Sequence, residues 1–180
     1  ILDTMGLTSR IVLDANIYTM NNRAEAFWMK KGILGDTVPL ELNAKELVHR
    51  NNKNSELTVY GYTPMMVSVQ CVQKTMDHCN HACVQYVLKD RYQKEFRGVC
   101  SCEFCYNTIY NTLPTSLLKE KEKAEKLGVK AYRLSFTIET QQETEKIVRA
   151  FVDVYLRGQK PDGQMQTEET TKGHFQRGVE

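Results

Sequence analysis

Six cysteines lie within 35 residues of this 180-residue chain, between Cys71 and Cys105. Cys102 and Cys105 form a C-x-x-C pair, a spacing that lets two thiolates on a tight turn face one metal ion or cluster. Cys71 and Cys79 form an earlier pair, and 22 residues separate the two pairs. Because the other 145 residues contain no cysteine, we expect one local four-cysteine site rather than general disulfide staples.

Three kinds of site fit these spacings. A disulfide framework is disfavoured because the chain shows no secretory signal. A closed structural zinc site and an iron-sulphur cluster on four thiolates both remain, since spacing alone does not separate zinc from iron. We expect the cluster, because Cys71 follows a predicted strand at a barrel mouth, where a redox centre is useful. His78 and His81 could enter a mixed zinc site, although a solvated loop is their simpler interpretation.

Four strand signals, each followed by a helix signal, must position these residues. The strands are predicted over residues 10–18, 37–43, 57–70 and 130–139. The helices are predicted over residues 23–31, 44–50, 116–127 and 141–156. Asn22 is a plausible N-cap, and Asn43 with Glu46 and Thr140 with Glu143 have capping-box spacing. Gly61 and Pro64 mark a kink inside the third strand.

This alternation predicts an α/β fold with a parallel sheet covered by helices. We expect the second half of a (β/α)8 TIM-like barrel, with residues 1–180 as the C-terminal half of one domain and the missing N-terminal half as its partner. A Cys-rich insertion is predicted over residues 71–111 and a flexible polar tail over 159–172. A stand-alone doubly wound sheet of the flavodoxin type is the structural alternative.

In either fold ligands bind at the carboxyl ends of the strands. The residues at those predicted ends are Asp14, Asn16, Glu41, Asn43, Gln70, Cys71 and Glu139. Glu41 is a candidate general base or ligand, with a salt-bridged carboxylate inside the barrel as the structural alternative. Arg133 could point into the barrel to hold an anionic group, or outward to a helix. We predict catalytic roles for Asn16, Glu41, Arg133 and Glu139.

Composition excludes several classes of protein. The chain is 41% apolar and 26% charged, which is typical of a globular domain. Its net charge of +2 gives no strong field for capturing nucleic acid, so any RNA contact must be local. No apolar run approaches the roughly 20 residues of a spanning helix, and we expect a soluble, cytoplasmic protein without membrane contact. No P-loop, dinucleotide fingerprint, nucleophile elbow or H-E-x-x-H motif is present.

Several segments resemble the C-terminal half of the catalytic domain of the U-thirty-two, or collagenase-like, peptidase family. They are VYGYTPMMVSVQC, LKDRYQKEF, CEFCYNTIYN, AYRLSFTIE and the terminal GHFQRGVE. The resemblance extends from about Arg10 to Glu180 and implies a barrel-like fold. Members named as peptidases were linked to collagen breakdown. Similar proteins act in tRNA or rRNA base hydroxylation and in oxygen-independent ubiquinone synthesis, several of them with an iron-sulphur cluster on four cysteines.

The resemblance implies that Cys71, Cys79, Cys102 and Cys105 bind a four-iron four-sulphur cluster, with zinc as the alternative. Cys83 and Cys100 are additional thiols, either of which could replace one of the four. A cysteine protease needs a histidine beside a single activated thiol, and six clustered thiols match that poorly. We therefore expect hydroxylation of an RNA base. A collagenase-like endopeptidase acting on protein and a non-catalytic iron-sulphur scaffold are the alternatives.

Overall fold

A computed structural model describes residues 4–77, 79–161 and 169–178. The protein has a mixed α/β fold, which confirms the predicted class, and the described residues form no closed barrel. The strands are β1 (Val12–Leu13), β2 (Gly35–Thr37), β3 (Ser55–Gly61), β4 (Pro64–Ser68), β5 (Gln85–Lys89), β6 (Glu95–Ser101), β7 (Tyr106–Tyr110), β8 (Thr115–Ser116) and β9 (Ala131–Ser135). The α-helices are α1 (Asn22–Lys30), α2 (Ala44–Leu47), α3 (Val72–Thr75), α4 (Lys121–Lys126) and α5 (Gln141–Phe151).

The first sheet is mainly parallel. Strands β1, β2, β3 and β9 lie side by side in that order, and each neighbouring pair is parallel. The two-residue strand β8 pairs antiparallel with the carboxyl end of β3. Helix α5 continues as a π-helical turn over Val152–Leu156. None of the helices in the described ranges combines the length and the apolar content needed to cross a lipid bilayer.

Helix starts follow the capping signals closely. The boxes at Asn43 and Thr140 are both formed, each with its reciprocal glutamate bond. The first helix is capped by Asn21 rather than the predicted Asn22, because the Asn21 side chain accepts from the backbone N–H groups of Arg23 and Ala24. These bonds satisfy donors that a helix start otherwise leaves unpaired.

The first two strands are much shorter than predicted. The strand predicted over residues 10–18 keeps only β1, since the chain enters a 3-10 turn at Ala15–Ile17. The strand predicted over 37–43 ends at Thr37, and a turn follows at Leu40 and Glu41. Pro39 has no N–H to continue the ladder, which explains why the apolar run does not extend the strand.

The third predicted strand is two strands in two sheets. Strand β3 ends at Gly61, where an added Cβ would lie 2.7 Å from the carbonyl oxygen of Ser135, so only glycine permits this approach to β9. After Tyr62 and Thr63 the chain starts β4, which belongs to a four-stranded antiparallel sheet in the order β4-β7-β6-β5. The Cys-rich segment is thus built into a sheet of its own, which begins at Pro64.

The core lies between the parallel sheet and the helices. Leu57 and Val59 of β3 are buried with Leu47 of α2, Ala124 of α4 and Phe151 of α5. At the C-terminus, Phe175 packs into this core and Thr171 forms a parallel bridge with Thr115. Of the tail predicted over 159–172, residues 162–168 lie outside the described residues.

A buried ion pair supports the amino end of β3. The side chains of Asp36 and Arg50 are 1% and 2% exposed, and the guanidinium donates to the carboxylate. Ser55 and Thr19 also donate to Asp36, while Arg50 donates to the Asn52 side chain over 2.9 Å. Because every charge here has partners, the ion pair and its hydrogen bonds offset the desolvation cost of burying the network. The sequence analysis did not identify it.

Candidate functional site

A cavity of about 510 Å³ lies at the carboxyl ends of the parallel strands. Its wall includes Asp14 after β1, Val38 after β2, Gly61 at the end of β3 and Ser135 at the end of β9. Residues 171–175 close one side of it. Ligand pockets commonly have volumes of about 300–1,000 Å³, and this edge of a parallel sheet is where α/β proteins bind ligands.

Asp14 and Asn16, both predicted site residues, line this cavity. Asn16 Nδ2 donates to Asp14 Oδ2 over 2.9 Å, and both residues are exposed. The bond leaves Asn16 Oδ1 and Asp14 Oδ1 facing no donor in the described part of the chain. The pair can therefore accept hydrogen bonds from a polar ligand.

Arg133 projects from the face of β9 opposite the helices. The neighbouring Tyr132 packs edge-to-face on Tyr155, with ring centroids 4.7 Å apart, so alternation places Arg133 on the other face. There Arg133 Nη1 donates to Thr37 Oγ1 over 3.0 Å and lies 3.5 Å from Glu56 Oε2. The Arg133 side chain lines the cavity and remains 43% exposed. Of its two predicted orientations, the structure has the one away from the helices.

Glu139 is anchored near the cavity wall with one oxygen unused. Its Oε2 accepts from the N–H groups of Thr137 and Ile138 over 2.7 and 3.0 Å. Its Oε1 is buried and has no hydrogen-bond partner among residues 4–77, 79–161 and 169–178. Burial raises the pKa of the cavity residue Tyr110, a hydrogen bond with Thr137 lowers it, and the nearby Glu139 charge raises it further. Buried acceptors of this kind are unusual and favour a donor from outside the chain.

Glu41 does not occupy the predicted position. It lies in the turn four residues beyond the end of β2, because the strand stops at Thr37. Its neighbours Leu40 and Leu42 line the cavity, whereas Glu41 does not. Within the described residues it forms no ion pair, so the alternative of a salt-bridged carboxylate inside the barrel is also wrong.

Two further strand-end candidates serve local structure. The Asn43 side chain accepts from the N–H groups of Lys45 and Glu46 and so caps α2. Gln70 lies after β4 beside a second cavity of about 290 Å³, and its carbonyl accepts from Asn107 over 2.8 Å. Neither residue lines the larger cavity.

Cys71 lies at the far end of β4, not at the mouth of the parallel sheet. Pro64 and Met65 at the start of β4 line the large cavity, while Cys71 follows the strand as the N-cap residue of α3. A five-residue strand spans about 17 Å. The predicted position was wrong because the chain leaves the parallel sheet at Gly61.

The other thiols gather at this same end of the antiparallel sheet. All six cysteines are free, with Cys71 and Cys100 buried and Cys79, Cys83 and Cys105 exposed. Cys100 Sγ donates to Asn107 Oδ1 over 2.8 Å. Burial, and then the neighbouring Cys71 thiol, raise the pKa of Cys100.

Cys102 is central to the group. Partial burial raises the pKa of its thiol, and four neighbouring thiols raise it further: Cys83, Cys71, Cys79 and Cys105. Its Sγ donates to the carbonyl of Ala82 over 2.8 Å, which links the C-x-x-C turn to the loop that carries Cys83. Thiols this close disfavour one another's ionisation, and a bound cation relieves that repulsion.

The thiols are neighbours without forming one coordination sphere. No three His, Cys, Asp or Glu side chains among residues 4–77, 79–161 and 169–178 form a group that could hold a metal ion. Cys102 and Cys105 instead donate to main-chain carbonyls, the latter over 3.7 Å. His81 is exposed in a left-handed conformation, and His78 lies outside the described residues.

An unpartnered hydroxyl beside the thiols nevertheless fits a sulphur-rich ligand. Tyr86 OH is buried and has no hydrogen-bond partner in the part of the chain that the structure describes. Its ring lies across Gly98, where an added Cβ would be 2.3 Å from Tyr86 Cζ. Burial, followed by Cys100 and Cys71, raises the pKa of Tyr86. Thiols and an available hydroxyl are residue types that can surround an iron-sulphur cluster, whose sulphurs accept hydrogen bonds.

Asn107 holds the two cysteine-bearing segments together. It is 1% exposed, and its Nδ2 donates to the carbonyls of Ser68 and Gln70 while its Oδ1 accepts from Cys100. One side chain thus joins the segment before Cys71 to strands β6 and β7. The sequence analysis missed Asn107, although its place two residues after the C-x-x-C pair is a usable signal.

No family model, curated protein or solved structure matches this chain. The resemblance to the U-thirty-two family therefore stays a prediction. Other residues of the large cavity were also missed, among them Tyr62, Lys172 and His174. Tyr62 was missed because the strand predicted over 57–70 was not expected to break beside it, and the other two come from the C-terminal segment, for which no strand was predicted.

Proposed function

We propose that this chain is the iron-sulphur half of an enzyme that hydroxylates a base of tRNA or rRNA. One observation carries the proposal: free thiols and a ligand-sized cavity lie at opposite ends of the same two strands. Pro64 of β4 and Tyr110 of β7 line the cavity, while Cys71 and Cys105 lie just beyond the other ends of these strands. A redox group and a substrate pocket on one rigid sheet are what an oxidation needs.

The order of the parallel strands supports a half-barrel. Strands β1, β2, β3 and β9 are neighbours in chain order, as in a (β/α)8 barrel, whereas a doubly wound sheet reverses its strand order at a switch point. We propose that the N-terminal half of the same protein supplies the remaining strands, which would pair with β1 and β9. Closure of this kind removes open sheet edges.

Cys71, Cys79, Cys102 and Cys105 would hold a four-iron four-sulphur cluster. Cys83 is the available replacement, because Cys100 is buried and donates to Asn107. When bound, such a cluster supplies one-electron transfer at a potential set by its surroundings. The same thiolates also suit zinc, which would make the site purely structural.

The cavity residues would bind and orient the base. Hydroxylation replaces a C–H bond by C–OH, a two-electron oxidation that requires an oxygen donor as second substrate. Asp14 and Asn16 present acceptors to amino groups of a base edge, and Arg133 presents a cation to a carbonyl or phosphate. Glu139 does not itself line the cavity, but it lies two residues after the lining residue Thr137 and would accept the proton released from carbon.

The test compares the wild-type full-length protein with three variants after anaerobic purification. Iron and acid-labile sulphide are measured, and RNA lacking the modification is analysed by mass spectrometry for the gain of one oxygen. We expect Cys71→Ser to lose both cluster and modification. Glu139→Gln should keep the cluster but slow modification by about 100-fold or more, the scale of a lost proton acceptor. Glu41→Gln is the matched control and should match the wild type.

Other outcomes would refute the proposal. Stoichiometric zinc without iron would make the thiols a structural zinc site. Gelatin cleavage that survives in Cys71→Ser, together with RNA left unmodified by the wild type, would support the endopeptidase. A complete cluster without either activity would leave an iron-sulphur scaffold.

A further inference from the structure

The hairpin of β5 and β6 carries the net charge of the protein. Residues 85–101 contain four basic residues, Lys89, Arg91, Lys94 and Arg97, against Asp90 and Glu95. The resulting +2 equals the net charge of all 180 residues. The rest of the chain therefore sums to zero, and this exposed hairpin has a local excess of +2.

Both acidic residues of the hairpin already have structural partners. Asp90 Oδ1 accepts from the N–H groups of Tyr92 and Lys94 over 2.7 and 2.9 Å, which closes the turn. Glu95 pairs with Lys89 over 3.0 Å. In contrast, Arg91, Lys94 and Arg97 have no carboxylate within salt-bridge distance in the part of the chain that the structure describes. Arg91 and Lys94 are therefore available to an anionic partner, whereas Arg97 is near enough to Glu143 to help lower the pKa of that carboxyl.

Aromatic rings accompany these cations. Tyr92 at the turn is 68% exposed, and the Arg91 guanidinium lies 4.7 Å from its ring centroid. In the middle of the hairpin, where Arg97 pairs with Val87, the Arg97 guanidinium lies 6.0 Å from the Tyr62 ring centroid. Tyr62 also lines the large cavity. Cations and rings thus extend from the tip of the hairpin to the cavity.

We propose that this hairpin is an arm that binds unpaired RNA and guides it to the cavity. Arg91 and Lys94 would contact phosphates, Tyr92 would stack on a base, and Arg97 beside Tyr62 would contact the nucleotide nearest the cavity. The proposal rests on the proposed function in taking RNA as the substrate. Exposed rings next to cations favour single-stranded RNA, because bases in a duplex are not free to stack on a side chain.

The experiment measures binding of the full-length, iron-loaded protein to a fluorescent single-stranded RNA of about 12 nucleotides, within the usual site size. Anisotropy is recorded over a series of salt concentrations. Arg91→Ala with Lys94→Ala should weaken binding and reduce the slope of log affinity against log salt by about 1.4, at about 0.7 per lost phosphate contact. Tyr92→Ala should weaken binding about tenfold without changing the slope.

The matched control is Lys119→Ala with Lys126→Ala, which removes equal charge from exposed positions on and before α4. It should retain wild-type affinity. Circular dichroism and iron content show whether each variant is folded. Three results would refute the proposal that the hairpin binds RNA. They are wild-type affinity in the hairpin variants, equal weakening in the control, and no RNA binding by the wild type. Tighter binding of poly-glutamate than of RNA, lost in the same variants, would also refute it and would indicate a protein partner.

Modification assays separate this inference from the proposed function. If the hairpin variants lose RNA affinity while no iron-loaded protein modifies RNA, the proposed hydroxylation is refuted and RNA binding by the hairpin is supported. If the wild type modifies RNA and the hairpin variants do so with unchanged KM, RNA binding by the hairpin is refuted and the proposed hydroxylation is supported.

Discussion

Strand β3 of the parallel sheet has five of its seven residues buried, whereas β4 of the antiparallel sheet has four of its five exposed. The difference follows from what covers each sheet. Helices α2, α4 and α5 pack on β3, and one apolar cluster includes residues of all four elements. The helix that follows β4, α3, has only four residues, and Met65, Met66 and Val67 remain 60%, 53% and 63% exposed.

The two sheets must therefore be stabilised in different ways. Hydrophobic burial accounts for the parallel sheet, at about 25 cal/mol for each Å² of apolar surface. The antiparallel sheet has too little buried apolar surface for that, but it carries the thiols and the Asn107 bonds. Small units without a large core commonly depend on a metal site or other staple. The proposed cluster would thus be structural as well as chemical.

The largest expected effect comes from metal removal. Stripping iron with a chelator under reducing conditions should lower the free energy of opening β4 to β7 by about 5 kcal/mol or more, because a structural metal contributes directly to folding. Hydrogen exchange read by mass spectrometry measures this for each strand. Strands β2 and β3 serve as internal controls and should keep their protection. Equal loss of protection in both sheets would show that they are one cooperative unit.

A second test destabilises the parallel sheet and leaves the thiols unchanged. Arg50→Ala leaves the buried Asp36 carboxylate unpaired, and we expect a loss of about 3–5 kcal/mol in the free energy of unfolding. Urea denaturation measures it. Arg149→Ala is the matched control, since its pair with Glu145 is exposed and should contribute about 0.5 kcal/mol or less. A loss below about 1 kcal/mol would mean that water enters and solvates the carboxylate.

A smaller effect is expected at the link between cysteine segments. Asn107→Ala removes the hydrogen bond that it donates to the Gln70 carbonyl and the one that it accepts from Cys100, and it leaves the buried Cys100 thiol without its acceptor, which costs about 1–3 kcal/mol. Iron binding should weaken, because Cys71 is no longer held beside β6 and β7. Iron titration of the apoprotein reports it. Asn111→Ala, at the cavity end of β7, should bind iron normally, and equal weakening there would argue against a specific link.

The smallest effect concerns Tyr86. If its hydroxyl donates to a cluster sulphur, Tyr86→Phe should lower the midpoint potential by about 40 mV, since a hydrogen bond of about 1 kcal/mol favours the more negative reduced form. Iron content should not change. Spectroelectrochemistry of wild type, Tyr86→Phe and the exposed control Tyr92→Phe measures the shift. An unchanged potential would place the hydroxyl away from the cluster.

Local signals were predicted more successfully than strand lengths. The capping boxes at Asn43 and Thr140 formed as predicted, because they depend on residues three apart. The strand predicted over residues 37–43 ended at Thr37, shortly before Pro39. The strand predicted over 57–70 divided into two strands after Gly61. An apolar run indicates that a segment is extended but not which sheet its hydrogen bonds join.

By itself, the sequence determined the α/β class, the starts of α2 and α5 and the restriction of all thiols to one segment, since composition, capping boxes and spacing act over short distances. The helix predicted over 116–127 became an α-helix only from Lys121. Only the tertiary structure decided that Cys71 lies a strand's length from the cavity and that Glu41 lies outside it. It also brought together Asp36 with Arg50, Tyr86 with Gly98, and Asn107 with Gln70. These contacts join residues far apart in the chain, and their partners depend on strand register and turn geometry, which no local pattern of residues specifies.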